Sequence, residues 1–248
     1  MKKYVVTAAS VVAGLSMMAG AAHAQTGTVG VNYTKVDTDF GDTDSYGVNG
    51  GVAFDLSGGL AVLLDASYST NDDTDVDLIT GTAHLIARDA DSAWGGFVGL
   101  GNADSGGGDA DLWTVGGEYA RFFESSTFAA QLAYATVDDT DVDIMGLSGE
   151  YRIFSGDNLR FDIGGGWAQI DTPLGDSDGF QVGVGVEHRF AGSPISIGGN
   201  ISYLDGDGSD ATVFGATLRF DFGNDSLKAR DRKGNTFGSF GGLGAFLQ

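Results

Sequence analysis

The chain has 248 residues, with 34 Asp+Glu against 13 Lys+Arg and a formal charge of −21. Such acidity excludes the basic surface that nucleic-acid binding requires. The absence of cysteine excludes disulfides and thiolate metal sites.

Residues 1–24 read as a cleaved signal peptide. Lys2 and Lys3 form a positive start, Val5 to Ala21 is uncharged and apolar or small, and Ala22-His23-Ala24 satisfies the small-x-small rule before Gln25. A membrane anchor is the alternative, but the run is short and rich in small residues. The leader takes two lysines and no acid, leaving 11 Lys+Arg against 34 Asp+Glu. After Ala24 no run of 18 apolar residues follows, so no transmembrane helix is expected. The aromatic and β-branched content argues against a disordered glycine-rich chain, despite 42 glycines.

From there the chain falls into twelve alternating segments. The expected strands are Thr26–Val36, Ser45–Leu56, Leu60–Thr70, Leu78–Asp89, Ala93–Asn102, Leu112–Phe123, Thr127–Val137, Ile144–Ser155, Leu159–Ile170, Gly179–Phe190, Ile195–Leu204 and Ala211–Phe222. Strands of about 9–11 residues suit a tilted crossing of the hydrocarbon. Connections alternate in length. The long ones are Asp37–Asp44, Asn71–Asp77, Ala103–Asp111, Asp138–Asp143, Asp171–Asp178 and Asp205–Asp210, and the short ones carry turn residues such as Ser57–Gly59 and Gly156–Asn158. Pro173 and Pro194 both fall in connections. Asp72-Asp73-Thr74-Asp75-Val76-Asp77 recurs identically from Asp138 to Asp143, which fits growth by hairpin duplication.

Period-two alternation assigns the faces. In the eleventh segment Ile195, Ile197, Ile201 and Tyr203 oppose Ser196, Gly198, Asn200 and Ser202. The polar rows are Gly, Ser, Thr and Asn, which suit a water-filled interior better than a solvated coat. Aromatics gather near strand ends, among them Tyr33, Tyr46, Tyr68, Trp94, Trp113, Tyr134, Trp167 and Tyr203, like the girdles of membrane barrels. Cross-strand packing in a β-sandwich is the competing explanation. The expected fold is therefore all-β: a transmembrane, antiparallel, up-and-down β-barrel of about twelve strands spanning 25–222. The leader 1–24 precedes it and a periplasmic tail 223–248 follows.

The leader, the hairpin rhythm and the closing Leu218-Arg219-Phe220-Asp221-Phe222 resemble the Gram-negative outer-membrane porin-like β-barrel family. The final aromatic is similar to the signal read by barrel-assembly machinery, although here the chain runs on past it to Gln248. The resemblance implies passive diffusion of small hydrophilic solutes and a setting of outer-membrane lipid and lipopolysaccharide. It carries no catalytic residue with it.

Charge is distributed along the axis. The six long connections hold 21 aspartates and no Lys, Arg or Glu, while the barrel's arginines sit toward the opposite strand ends. An acidic outer mouth would attract cations. Asp73, Asp75 and Asp77, Asp141 and Asp143, and Asp205, Asp207 and Asp210 offer hard oxygens at calcium-loop spacing, so loosely bound Ca²⁺ or Mg²⁺ is one reading. Plain solvated turns are the other. No resident cofactor is expected.

By parity Asp65, His84, Arg88, Glu118, Glu150, Arg152, Arg160, Asp162, Glu187, Arg189 and Arg219 point inward, with Asp55 and Asp221. They are candidates for a constriction with a field across it, or for a salt-bridge network that fills the barrel. Catalysis is not expected: His84 has no serine motif near it, and His188 lies on the lipid side. The tail carries Lys228, Arg230, Arg232 and Lys233 against Asp225 and Asp231. It reads as a periplasmic contact, a plug turned toward the lumen, or a mobile terminus. The resulting picture is a channel of modest cation preference, with a structural or adhesive barrel of closed lumen as the alternative.

Overall fold

The computed structural model describes residues 25–237, except 75, 106, 139, 207, 208, 224, 234 and 235. The expected signal peptide and residues 238–248 lie outside the described residues.

Twelve antiparallel strands close on themselves: β1 (Gln25–Thr38), β2 (Gly41–Asp55), β3 (Leu60–Asn71), β4 (Val76–Arg88), β5 (Ser92–Ser105), β6 (Gly108–Phe122), β7 (Ser126–Val137), β8 (Val142–Phe154), β9 (Leu159–Thr172), β10 (Gly175–Arg189), β11 (Ile195–Gly206) and β12 (Ser209–Phe222). Each strand pairs with its sequence neighbours, and β12 returns to β1 with Gly27 opposite Phe222 and Thr38 opposite Ala211. Full closure leaves no strand edge, which is the condition for a sheet to stand in lipid. The seam needs a glycine: a Cβ on Gly27 would lie 2.2 Å from the Phe222 ring.

The exposed faces decide what surrounds the barrel. Leu85, Trp94, Val98, Leu100, Leu132, Ile163 and Leu218 all stand on the outside, Leu100 with 71% of its surface open. Burying one Leu or Val side chain is worth about 1.5–3 kcal/mol. A full outer belt of such residues left in water would cost more than a folded domain retains. Hydrocarbon removes that cost, so the apolar rows face lipid and the Gly, Ser, Thr and Asn rows enclose the interior.

One end of the barrel holds Gln25 and Phe222 and is called the near end. Its connections are short turns. Ser57–Gly59 forms a single 3₁₀ turn with Gly58 and Gly59 at φ 77° and 79°. At 89–91 the Asp89 carboxylate accepts the backbone N–H groups of Asp91 and Ser92 at 2.8 and 2.7 Å. These bonds hold its carboxyl below the usual carboxylate range.

The far end corrects the expectation of long loops. The strands run on past the apolar belt, so β1 and β2 are joined only by Asp39 and Phe40, and β9 and β10 by Pro173 and Leu174. Asp–Thr–Gly segments that look like loops in sequence pair in register: Asp37 faces Asp42, Asp104 faces Asp109 and Asp205 faces Asp210. Backbone pairing carries these rungs, because hydrated carboxylates above the belt repel one another only weakly. Three of the tips share one design. Thr38, Ser105 and Thr172 each donate a hydroxyl to the carbonyl of the glycine three residues on, at 2.8, 3.2 and 2.8 Å. Those glycines, Gly41, Gly108 and Gly175, have φ of 139°, 146° and 137°.

A short helix, α1 (Leu227–Lys233), follows β12. Residues 225–233 with Thr236 and Phe237 are tied into the near end of the lumen, which corrects the reading of a mobile terminus. No helix among the described residues is long and apolar enough to cross a membrane.

Candidate functional site

The interior is unevenly filled. On the β3–β7 side, Leu63, His84, Ile86, Phe97 and Phe122 are all buried. Phe97 lies across the β5–β6 wall because Gly116 leaves it room; a Cβ there would come within 2.3 Å of its ring. The opposite wall carries glycines instead, and space remains. A cavity of about 420 Å³ is lined by Gly164, Gly183, Gly185, Gly198, Asn200, Ser202 and Gln131. A second, of about 760 Å³, occupies the far half between Asn32, Thr34, Ser45, Asn49, Ser67 and Thr80. Arg152, Arg160, Arg219 and Phe237 border both.

Those arginines form a floor. Glu187 sits among three guanidiniums: Arg230 at 2.5 Å, Arg219 at 3.1 Å and Arg160 at 3.4 Å, and Ser196 donates its hydroxyl to it at 2.6 Å. Arg160 also meets Asp162 at 2.8 Å, and Arg152 meets Glu150 at 2.7 Å. Bringing these charges out of water is repaid only where each keeps a partner, and the network supplies one to every member. Arg219 and Glu150 retain the most open surface, 25% and 34% of their side chains. The floor thus presents both signs of charge to the cavity.

Glu150, Arg152, Arg160, Asp162, Glu187 and Arg219 therefore stand where parity places them, around open space. Five other candidates do not line it. Arg88 donates to the Lys233 carbonyl at 2.7 Å, and Arg189 donates to the Ser193 carbonyl at 2.8 Å. Asp65, His84 and Glu118 point inward, yet are sealed within the filled half. His84 Nε2 lies 2.8 Å from Asp65 and Nδ1 3.0 Å from Glu118, with side-chain exposures of 0% for the histidine, 3% for Asp65 and 0% for Glu118. Phe97 covers the imidazole, ring centroids 5.5 Å apart. Both ring nitrogens face carboxylates, so this histidine is not free to activate a hydroxyl.

The aspartates at the far end also differ from expectation. They stand on strand extensions, and alternation turns the strand-borne ones outward: Thr43, Ser45, Val76 and Leu78 line the cavity, so Asp42, Asp44 and Asp77 face away. They form a collar around the mouth, just above the aromatic girdle, and the girdle is bonded to it. Tyr33 donates to Asp44 at 2.7 Å, Tyr68 to Asp77 at 3.1 Å, Trp167 to Asp178 at 3.2 Å and Tyr203 to Asp210 at 3.0 Å. Among the described residues no three acidic or histidine side chains are gathered to hold a metal ion. Asp73, Asp77, Asp141, Asp143, Asp205 and Asp210 stand at the far end, Asp205 directly opposite Asp210; Asp75 and Asp207 lie outside the described residues.

The tail, for which a plug turned toward the lumen is one of three sequence readings, places side chains in the near end of the lumen. Arg230 reaches Glu187 and Asp221, Asp231 pairs with Arg152 at 2.5 Å and accepts the Thr127 hydroxyl at 2.6 Å, and Arg152 also donates to the Thr236 carbonyl. Arg232 bonds the Phe123 carbonyl. Phe237, 3% exposed, packs in a cluster with Leu63, Ile86, Ala93, Ala120 and Phe122. The available signal was charge: a basic run placed after an acidic barrel.

The COG4313 outer membrane channel from Pseudomonas putida F1 superposes with a TM-score of 0.63 at 12% identity, over 82% of this chain and 96% of that one. The chain has the fold of an outer-membrane β-barrel. The translocator domain of the autotransporter NalP from Neisseria meningitidis gives 0.57 at 9% identity, over 89% and 96%. The KdgM porin in complex with disordered oligogalacturonate gives 0.56 at 7%, over 79% and 99%. No protein-family model and no curated protein matches the sequence.

Proposed function

We propose that the protein is an outer-membrane channel for passive diffusion of small hydrophilic solutes. One observation carries this reading: a glycine-walled, hydroxyl- and amide-lined lumen that is open in its far half and meets a charged floor. A barrel serving only as a scaffold has no need of 760 Å³ of polar space. Structural likeness to a channel and a porin supports the same reading. Orientation follows from the architecture: the near end, with its short turns, is periplasmic, and the aspartate collar is external.

The cation preference is modest in this reading. The collar faces outward into solvent, where the screening length is about 8 Å at physiological salt, so little of its field reaches the lumen. The floor carries paired charges of both signs and adds little net bias.

Planar-bilayer recording tests the proposal. Folded protein should give discrete ion steps whose reversal potential in a salt gradient favours cations. Silence from folded protein, both with and without its tail contacts, would leave the scaffold or adhesive reading instead. A reversal potential favouring anions would remove the cation preference alone.

A further inference from the structure

We infer that the tail, through residues 225–233 with Thr236 and Phe237, forms a built-in stopper held in the near end of the lumen by its own charge complement, and that the channel conducts when this segment withdraws. The inference rests on the channel reading above.

The segment touches opposite walls. Arg230 is held by β10 and β12 through Glu187 and Asp221. Asp231 is held by β7 and β8 through Thr127 and Arg152. Arg88 of β4 takes the Lys233 carbonyl, and Phe237 sits on side chains of β3 to β6. A chain resting on one wall leaves a passage beside it. A chain tied to β4, β7, β8, β10 and β12 crosses the bore.

The contacts are also specific. Arg230 and Asp231 are 3% and 1% exposed, and Leu227 and Thr236 are fully covered. Adjacent residues of opposite charge meet opposite charges on separate stretches of wall, which fixes the segment's rotation as well as its depth. Arg230 supplies the shortest of the contacts to Glu187, and Glu187 and Asp221 are buried and also meet Arg160, Arg189 and Arg219 around the periphery.

Withdrawal exchanges these pairs for water, which enters as the segment leaves. The cost is therefore the difference between a buried pair and hydrated charges, a quantity often near zero. A stopper held this way is tight in geometry and cheap to release. A hydrophobic plug of equal size would lack that property.

The test compares the full chain with Arg230→Glu, Arg230→Lys and Phe237→Ala in planar bilayers. Folding is checked by heat-modifiable gel migration. Native protein should show rare, brief openings. Arg230→Glu places a third carboxylate beside Glu187 and Asp221 and should raise open probability severalfold; Arg230→Lys should restore closure in large part. Phe237→Ala touches no ion pair and should raise it independently, which keeps the test valid if the charge reversal does not fold. Equal open probability in native and variant proteins overturns the stopper and leaves the channel intact. Folded native and variant proteins that are all silent overturn the channel reading itself.

Discussion

Replacing His84 by alanine should be among the most damaging single changes in the barrel. The side chain is wholly buried between Asp65 and Glu118, 2.8 and 3.0 Å away. Its loss leaves two carboxylates facing each other across an emptied space. Breaking a buried charge pair by deleting one partner costs about 3–5 kcal/mol. The imidazole also stacks against Phe97 at 5.5 Å, and an aromatic contact of that kind is worth roughly 0.5–1.5 kcal/mol. The electrostatic loss dominates, so the expected destabilisation is about 4 kcal/mol or more. Urea titration in detergent micelles, followed by tryptophan fluorescence, measures it. The decisive control replaces the whole set: Asp65→Leu, His84→Phe and Glu118→Leu together. If desolvated charge is the cause, this apolar triple variant should be far closer to native than the single one, because filling a buried ionic site with apolar groups is often neutral. A single variant within about 1 kcal/mol of native, or a triple variant worse than the single, would refute the reasoning.

Gly116→Ala should cost about 1–3 kcal/mol or more in the same titration, because the new methyl meets the Phe97 ring and the Leu132 carbonyl; adding Phe97→Leu should recover only part of it, since the carbonyl contact stays. Asp89→Asn should weaken the β4–β5 turn only mildly. Because the folded carboxyl is held below its unfolded value, the native stabilisation is complete above the unfolded carboxylate range and is lost as pH falls through the folded value. The stability gap to the Asn variant should therefore narrow in acid, read as converging urea midpoints. Tyr203→Phe removes one girdle-to-collar bond and should cost about 0.5–1.5 kcal/mol at most.

Fold and site were not equally legible in the sequence. Every strand was readable because each face has one job: Ile195, Ile197 and Ile201 on one side of β11 and Ser196, Asn200 and Ser202 on the other leave a single register. Strand ends were less readable. Asp and Gly are poor strand formers, so segments such as Asp37 to Asp44 look like loops; neighbouring ladders above the membrane belt override that preference. A further sequence signal was present. Thr38, Ser105 and Thr172 fall at equal intervals along the chain, and the same tip recurs at all three. This divides the barrel into three four-stranded units, a longer period than a single hairpin.

Glu150, Arg152, Arg160, Asp162, Glu187 and Arg219 border the cavity, and their inward direction follows from alternation. Alternation does not say whether an inward residue meets water or a neighbour. Asp65, His84 and Glu118 point inward and are buried because Phe97 and Leu63 crowd the same half. The tail's place was hidden for a different reason: Arg152 and Asp231 meet from far apart in the chain, as do Thr127 and Asp231, and no local pattern encodes such a contact.

With the far end external, as proposed above, the compact tips at β1–β2 and β9–β10 bear on how the cell surface is met from outside. A protease draws slack chain into its cleft, and a tip closed by two residues and a hydroxyl-to-carbonyl bond offers almost none. At these two tips predatory enzymes and immune receptors would encounter short ribbons in place of loose epitopes. The β9–β10 tip suits display: a foreign peptide grafted between Thr172 and Gly175 would project from a rigid base without disturbing the ladder beneath it.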